Sequence, residues 1–151
     1  VSASIYAKQL RTAADELIAA MQHLKFSRDS VGSFDGAGSI DDLSPEALEK
    51  IEAFTSRFAR VVDLLIHRVL RSIDFYELQE PGTLLDVANR AEGRGLIVSV
   101  DWLREMKDAR NRIAHDYTGE RLPELLSFCQ SEMDALLCSC EKTIEHIEQL
   151  L

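Results

Sequence analysis

Apolar residues recur at steps of three and four along nearly the whole of this 151-residue chain. That spacing repeats every 3.6 residues and places the apolar side chains on one face of a helix. Leu10, Ala13, Ala14, Leu17, Ile18, Met21 and Leu24 make the first such stripe, which predicts a helix from about residue 4 to 26. Ile51, Phe54, Phe58, Val61, Val62, Leu65, Val69 and Ile73 make the second. Ser44-Pro45-Glu46 opens that helix with an N-cap serine, a proline at the first helical position and an acid in the first turn. At about 30 residues and 1.5 Å per residue this rod spans roughly 45 Å, more than a compact monomer needs. The widening at Leu64-Leu65-Ile66 hints at a second buried face, for which dimerisation is one explanation.

Turn chemistry divides the remainder. Residues 27–43 hold three of the seven glycines and lose the periodicity, so a flexible loop is expected there. Pro81-Gly82 breaks the pattern again, and Thr83 with Asp86 three residues on is arranged as a capping box for a short helix from Leu84 to about Glu92. Gly93 and Gly95 end it. Ser99 caps a further helix that turns Trp102, Met106, Ala109 and Ile113 inward. Gly119 marks the next turn, and Pro123 suits the first turn of a last helix. On that helix Leu122, Leu125, Leu126, Cys129, Met133, Leu136, Leu137, Cys140, Ile144 and Ile147 form a stripe. No segment alternates as a strand would. The expected architecture is all-α: a single domain, 1–151, built as an up-and-down bundle of four to five helices.

Composition narrows the function. A net charge of −9 and a pI near 4.9 disfavour broad, nonspecific nucleic-acid binding, which relies on a basic surface. A locally basic stretch survives at residues 104–112, where Arg104, Lys107, Arg110 and Arg112 outnumber Glu105 and Asp108. No apolar run approaches the roughly 20 residues that span a bilayer, and no signal-peptide pattern opens the chain, so a cytoplasmic location is expected. Cys129, Cys138 and Cys140 lack zinc-ligand spacing and read as reduced cysteines that behave as small hydrophobes. His23 and His146 have no matching Cys or carboxylate set, and no metal or cofactor is expected.

The polar content concentrates in Arg110-Asn111-Arg112-Ile113-Ala114-His115-Asp116-Tyr117. Two guanidinium groups, an amide, an imidazole, a carboxylate and a phenol lie within eight residues. Such a set can bind a phosphate, move a proton near neutral pH and offer a hydroxyl for modification. Asn111 and His115 are four apart and share a helix face, with Arg112 beside them. Arg110 lies five before His115, roughly 140° around an ideal helix, so one straight helix does not bring both to a point. Either the helix ends near His115, or a two-fold partner completes the site.

Arg110-Asn111-x-x-x-His115-x-Tyr117 resembles the R-x4-H-x-Y motif of HEPN-domain proteins. Pro81-Gly82-Thr83, Ala91, Gly95-Leu96-Ile97, Asp101-Trp102 and Met106 are similar to the run before the motif in HepT-like toxins and nucleotidyltransferase-substrate-binding proteins. The resemblance covers roughly residues 46–150. It implies a homodimeric helical bundle whose motifs meet in a cleft, and a toxin that cleaves RNA without a metal. The implied catalytic residues are Arg110, Asn111 and His115, with Arg112 and Asp116 in support. It also implies a cognate MntA-like nucleotidyltransferase that transfers AMP to Tyr117. The alternative is a noncatalytic HEPN module that serves a separate nucleotidyltransferase. Among the other polar or aromatic positions, Trp102 is expected in the core or an interface. His67 is expected to be a partly buried interface residue, Tyr117 has the option of packing beneath the helix end, and Glu141, Glu145 and Glu148 read as a solvated face.

Overall fold

Ser44 Oγ accepts the Ala47 amide at 3.1 Å and Pro45 occupies the first turn, so a helix starts where capping chemistry places it. The computed structural model describes residues 2–32, 40–77 and 79–151. Among them the regular structure is helical throughout: α1 (Ser2–Val31), a 3-10 turn (Ile40–Asp42), α2 (Pro45–Asp63), a π-helical segment (Leu64–Val69), α3 (Leu70–Tyr76), α4 (Leu84–Gly93), α5 (Val100–His115) and α6 (Leu122–Leu150). The segment from Pro45 to Tyr76 runs without a break. The chain is therefore all-α, with five helical rods among the described residues.

Neighbouring rods run antiparallel. Along α1 and the long rod the partners are Ser27 with Arg57, Glu16 with Arg68 and Tyr6 with Phe75, so one ascends as the other descends. The same holds for the long rod and α5, where Asp63 meets Arg110 and His67 meets Lys107. Lys25 with Glu141 and the groove between Arg11 and Leu151 pair α1 with α6 in the same sense. α4 packs beside α3 and α5 at one end.

The three predicted stripes become the core. Leu10, Leu17, Leu24, Phe54, Phe58, Leu65, Ile73, Met106, Leu126 and Leu136 are buried, while Ile18, Ile113 and Ile144 are half-buried. Each fully buried Leu, Ile or Phe contributes about 1.5–3 kcal/mol relative to exposure. Trp102 is buried with its indole Nε1 donating to Glu132 Oε2 at 3.0 Å, the partner a buried indole requires. No helix among the described residues is long and apolar enough to cross a membrane.

Three expectations need correction. α1 continues to Val31, so residues 27–31 are helical rather than loop; Ser27 is buried and receives Arg57 at 2.7 Å, which carries the helix on. Residues 33–39 of the expected loop lie outside the described residues. The widening at Leu64-Leu65-Ile66 is the π segment, in which the Leu70 amide donates to the Leu65 carbonyl. The wider turn lets the adjacent Leu65 and Ile66 both enter the core of the same protomer, so no second face is needed to explain them. Tyr117 is 86% exposed, so its ring does not pack beneath the helix end, whereas His67 lies at the protomer's surface, where an interface residue would stand.

Candidate functional site

α5 starts on Ser99, whose hydroxyl accepts the Trp102 amide at 3.0 Å, and ends at His115. Two residues apart on a helix, His115 and Tyr117 would face away from each other. They meet because the helix stops. Asp116 adopts φ −85°, ψ 71°, and the Tyr117 amide donates to the His115 carbonyl at 3.0 Å, the geometry of an inverse γ-turn. The turn folds the phenol back, leaving Tyr117 Oη 3.2 Å from His115 Nδ1 and the rings edge to face with centroids 6.1 Å apart. Gly119, at φ +76°, then lets the chain enter α6, with the Leu122 amide donating to its carbonyl at 3.1 Å.

This reversal frames a solvent-open cavity of about 440 Å³ lined by Asn111, Arg112, His115, Asp116, Tyr117, Thr118, Glu120 and Arg121. Five of the six sequence-predicted residues therefore gather around one space. Its polar equipment comprises two guanidinium groups (Arg112 and Arg121), two carboxylates (Asp116 and Glu120), the imidazole and the phenol. Asp116 closes the turn itself, its Oδ1 accepting the Arg121 amide at 3.5 Å.

Arg110 is the residue left out. Its Nε donates to Asp63 Oδ2 at 2.9 Å, with Oδ1 at 2.8 Å, and its Nη1 donates to Asn111 Oδ1 at 3.3 Å. Asn111 thus engages Arg110 through its side-chain oxygen. The helical angle predicted this separation, and Asp63 turns it into a fixed position one element away. Sequence reading missed Asp63, although a signal was present: a carboxylate between Val62 and Leu64 in an apolar run calls for a cationic partner. It also missed Arg121, which reaches the cavity only because the turn brings the start of α6 back to α5.

What the arrangement can do follows from the tautomers. For His115 Nε2 to accept a proton, Nδ1 must carry hydrogen and donate to Tyr117 Oη; in the other tautomer the phenol donates and Nε2 becomes the donor. A hydroxyl can take either part, so the Tyr117 contact persists whether His115 accepts a proton at Nε2 or, as the imidazolium, gives one up. Among the described residues no group of three His, Cys, Asp or Glu side chains is placed to hold a metal ion. Comparison of the chain with protein-family models, with curated proteins and with solved structures finds no match.

Proposed function

We propose that the chain is a HepT-like toxin of the HEPN superfamily: a metal-independent endoribonuclease that works as a homodimer and is silenced by a cognate nucleotidyltransferase. The observation that carries this reading is the meeting of His115 and Tyr117 at the mouth of a cavity lined by Asn111, Arg112 and Arg121. His115 Nε2 removes the proton from a ribose 2′-hydroxyl. The freed oxygen attacks the adjacent phosphorus, and the 5′-oxygen leaves with a proton from a second donor, for which the reading uses the same histidine of the second copy. The products are a 2′,3′-cyclic phosphate and a 5′-hydroxyl. Arginine stabilises the negative charge that builds on the phosphorane, a role suited to its forked donors. Arg110 supplies it across the dimer cleft, held in position by Asp63.

Regulation uses the same geometry. Tyr117 Oη lies 3.2 Å from the ring nitrogen of His115, so AMP attached to it would place a phosphate and a nucleoside in the cavity and exclude RNA. At 86% exposure the phenol is open to a modifying enzyme.

A second reading has its own support. Arg110 faces Asp63 and Asn111 rather than the cavity, which suits a noncatalytic module that only presents Tyr117 to a nucleotidyltransferase. RNA cleavage by purified protein in EDTA separates the two. Activity lost in both His115→Ala and Arg110→Ala supports the nuclease. A folded, dimeric, unmodified protein that leaves RNA intact supports the module. For regulation, mass spectrometry of Tyr117 after incubation with an MntA-like enzyme and ATP is expected to show one added AMP; an unmodified tyrosine removes that part of the reading.

A further inference from the structure

Beside the cavity the surface carries an arrangement that the reaction scheme does not use. Lys107 Nζ lies 3.0 Å from His67 Nε2, and Lys107 has no carboxylate partner among the described residues. An ammonium against an imidazole is a poor pairing unless the imidazole is neutral and accepts. The surroundings favour that state: desolvation first, then the Lys107 charge, push His67 below its ordinary value, with Arg110 and Arg71 adding to the effect and Asp63 opposing it. These are the charged groups facing His67, from its own rod (Asp63 and Arg71) and from α5 (Lys107 and Arg110). His67 lies inside the π-helical segment, a rare backbone form that is frequent at functional sites.

Placement on α5 gives the arrangement a direction. Lys107, Asn111 and His115 stand at i, i+4 and i+8, a single row along one helix face. The row covers about 12 Å at 1.5 Å per residue, and its far end is the cavity. Arg104, exposed, continues it one turn earlier. On a chain of net charge −9, residues 104–112 keep a local cationic excess, with Arg104, Lys107, Arg110 and Arg112 against Glu105 and Asp108.

We propose that His67 and Lys107 form a phosphate-binding track for the backbone of single-stranded RNA, which delivers the strand along α5 into the cavity at His115. The proposal deepens the ribonuclease reading and rests on it for the identity of the polyanion. A narrow ridge on an acidic protein suits a flexible single strand, whose phosphates can be picked up one at a time, better than a rigid duplex that brings its whole charge density to an acidic surface. A phosphate at Lys107 takes the two ammonium protons not directed at His67. Its charge raises the His67 pKa, so binding is accompanied by proton uptake and tightens as pH falls towards the ordinary histidine range.

The test separates the track from the cavity. Binding of a fluorescent single-stranded RNA is measured by anisotropy in EDTA, with the full chain carrying His115→Ala so that cleavage does not intervene. Adding Lys107→Ala is expected to weaken binding several-fold and to reduce the slope of log affinity against log salt by about 0.7. Adding Lys142→Ala, which removes an exposed lysine on α6, is expected to change neither. His67→Gln keeps an acceptor for Lys107 and is expected to flatten the pH dependence. If the Lys107 and Lys142 variants bind alike, the track is wrong and the ridge is left to an acidic protein surface. RNA binding that depends on Lys107, in a protein whose wild type cleaves nothing, sinks the ribonuclease chemistry and keeps the track. Cleavage with Lys107-independent binding sinks the track alone.

Discussion

Asp63 and Arg110 show how one side chain decides what another can do. Both are about one-third exposed, so their ion pair is screened by water and contributes under about 1 kcal/mol to stability. Its value under the ribonuclease reading is positional. Asp63→Asn is therefore expected to leave the melting temperature within a few degrees of wild type. It should lower kcat for RNA cleavage roughly 100-fold, the scale of a displacement of about 1 Å in an aligned group, and Asp63→Glu should restore part of it. Equal losses in Tm and activity would make the pair structural. The cysteines give a second residue-scale test. Burial pushes the Cys129 thiol up to about 12 and raises Cys140 further, whereas Cys138 is exposed. A chromogenic thiol reagent near pH 8 is expected to modify Cys138 in the native protein and all three in denaturant; rapid native labelling of Cys129 or Cys140 would contradict the packing.

At the scale of the element, α4 depends on its start. Thr83 Oγ1 accepts the Asp86 amide at 3.3 Å, and Asp86 Oδ2 accepts the Thr83 amide at 2.9 Å, completing the capping box. Gly82 precedes it at φ +72°, and a Cβ there would come within 2.4 Å of Asp86 Oδ2. Gly82→Ala thus meets both a disfavoured backbone and a collision, and should cost about 1–3 kcal/mol in urea unfolding; Thr83→Ala should cost about 1 kcal/mol. A Gly82→Ala variant as stable as wild type would refute the turn geometry. The hydrogen bonds from Thr83 hold the Asp86 carboxyl below its usual range. A depressed carboxylate stabilises the fold above its unfolded pKa near 3.8, and that contribution is lost as pH falls through the folded value. Thr83→Ala should therefore make unfolding less sensitive to acid below about pH 4.

Across the whole molecule, one buried charge joins the long rod to α4. Asp74 is 0% exposed and receives Arg94 Nη1 at 2.7 Å and Arg90 Nη1 at 3.2 Å. Arg94 Nη2 continues to Glu77 at 2.8 Å, and His146 of α6 lies 3.6 Å from the other Glu77 oxygen. The two acids hold the Arg94 guanidinium above its ordinary value against desolvation, the largest opposing effect. Arg90 Nη1 also donates to the Pro81 carbonyl, and Arg71 to that of Gly82, so Arg90 and Arg71 together hold the link between α3 and α4. Removing the shared acid leaves two arginines partly buried without it. Asp74→Ala should cost about 3–5 kcal/mol, well above the loss from any cap. A chemical-denaturation loss under about 1 kcal/mol would show that water or Glu77 takes over the pairing.

Helical class, the three stripes and the caps at Ser44, Thr83 and Ser99 were legible in the sequence, and a stop near His115 was one of the two geometries it left open. Each depends on neighbours within about four residues, which is the reach of a helical turn. The angle between Arg110 and His115 was legible for the same reason. Tertiary structure alone decided where Arg110 goes, since Asp63 is 47 positions away. It also decided that Asp74 lies beneath two arginines of another helix, and that Arg121 reaches the cavity. The π segment sits between these cases. Its apolar widening was visible in the sequence, but whether Leu65 and Ile66 face one core or two depends on the wider turn and on the packing of that segment against α1. Local spacing determines what a helix can present, and the long-range partners determine what each presented group touches.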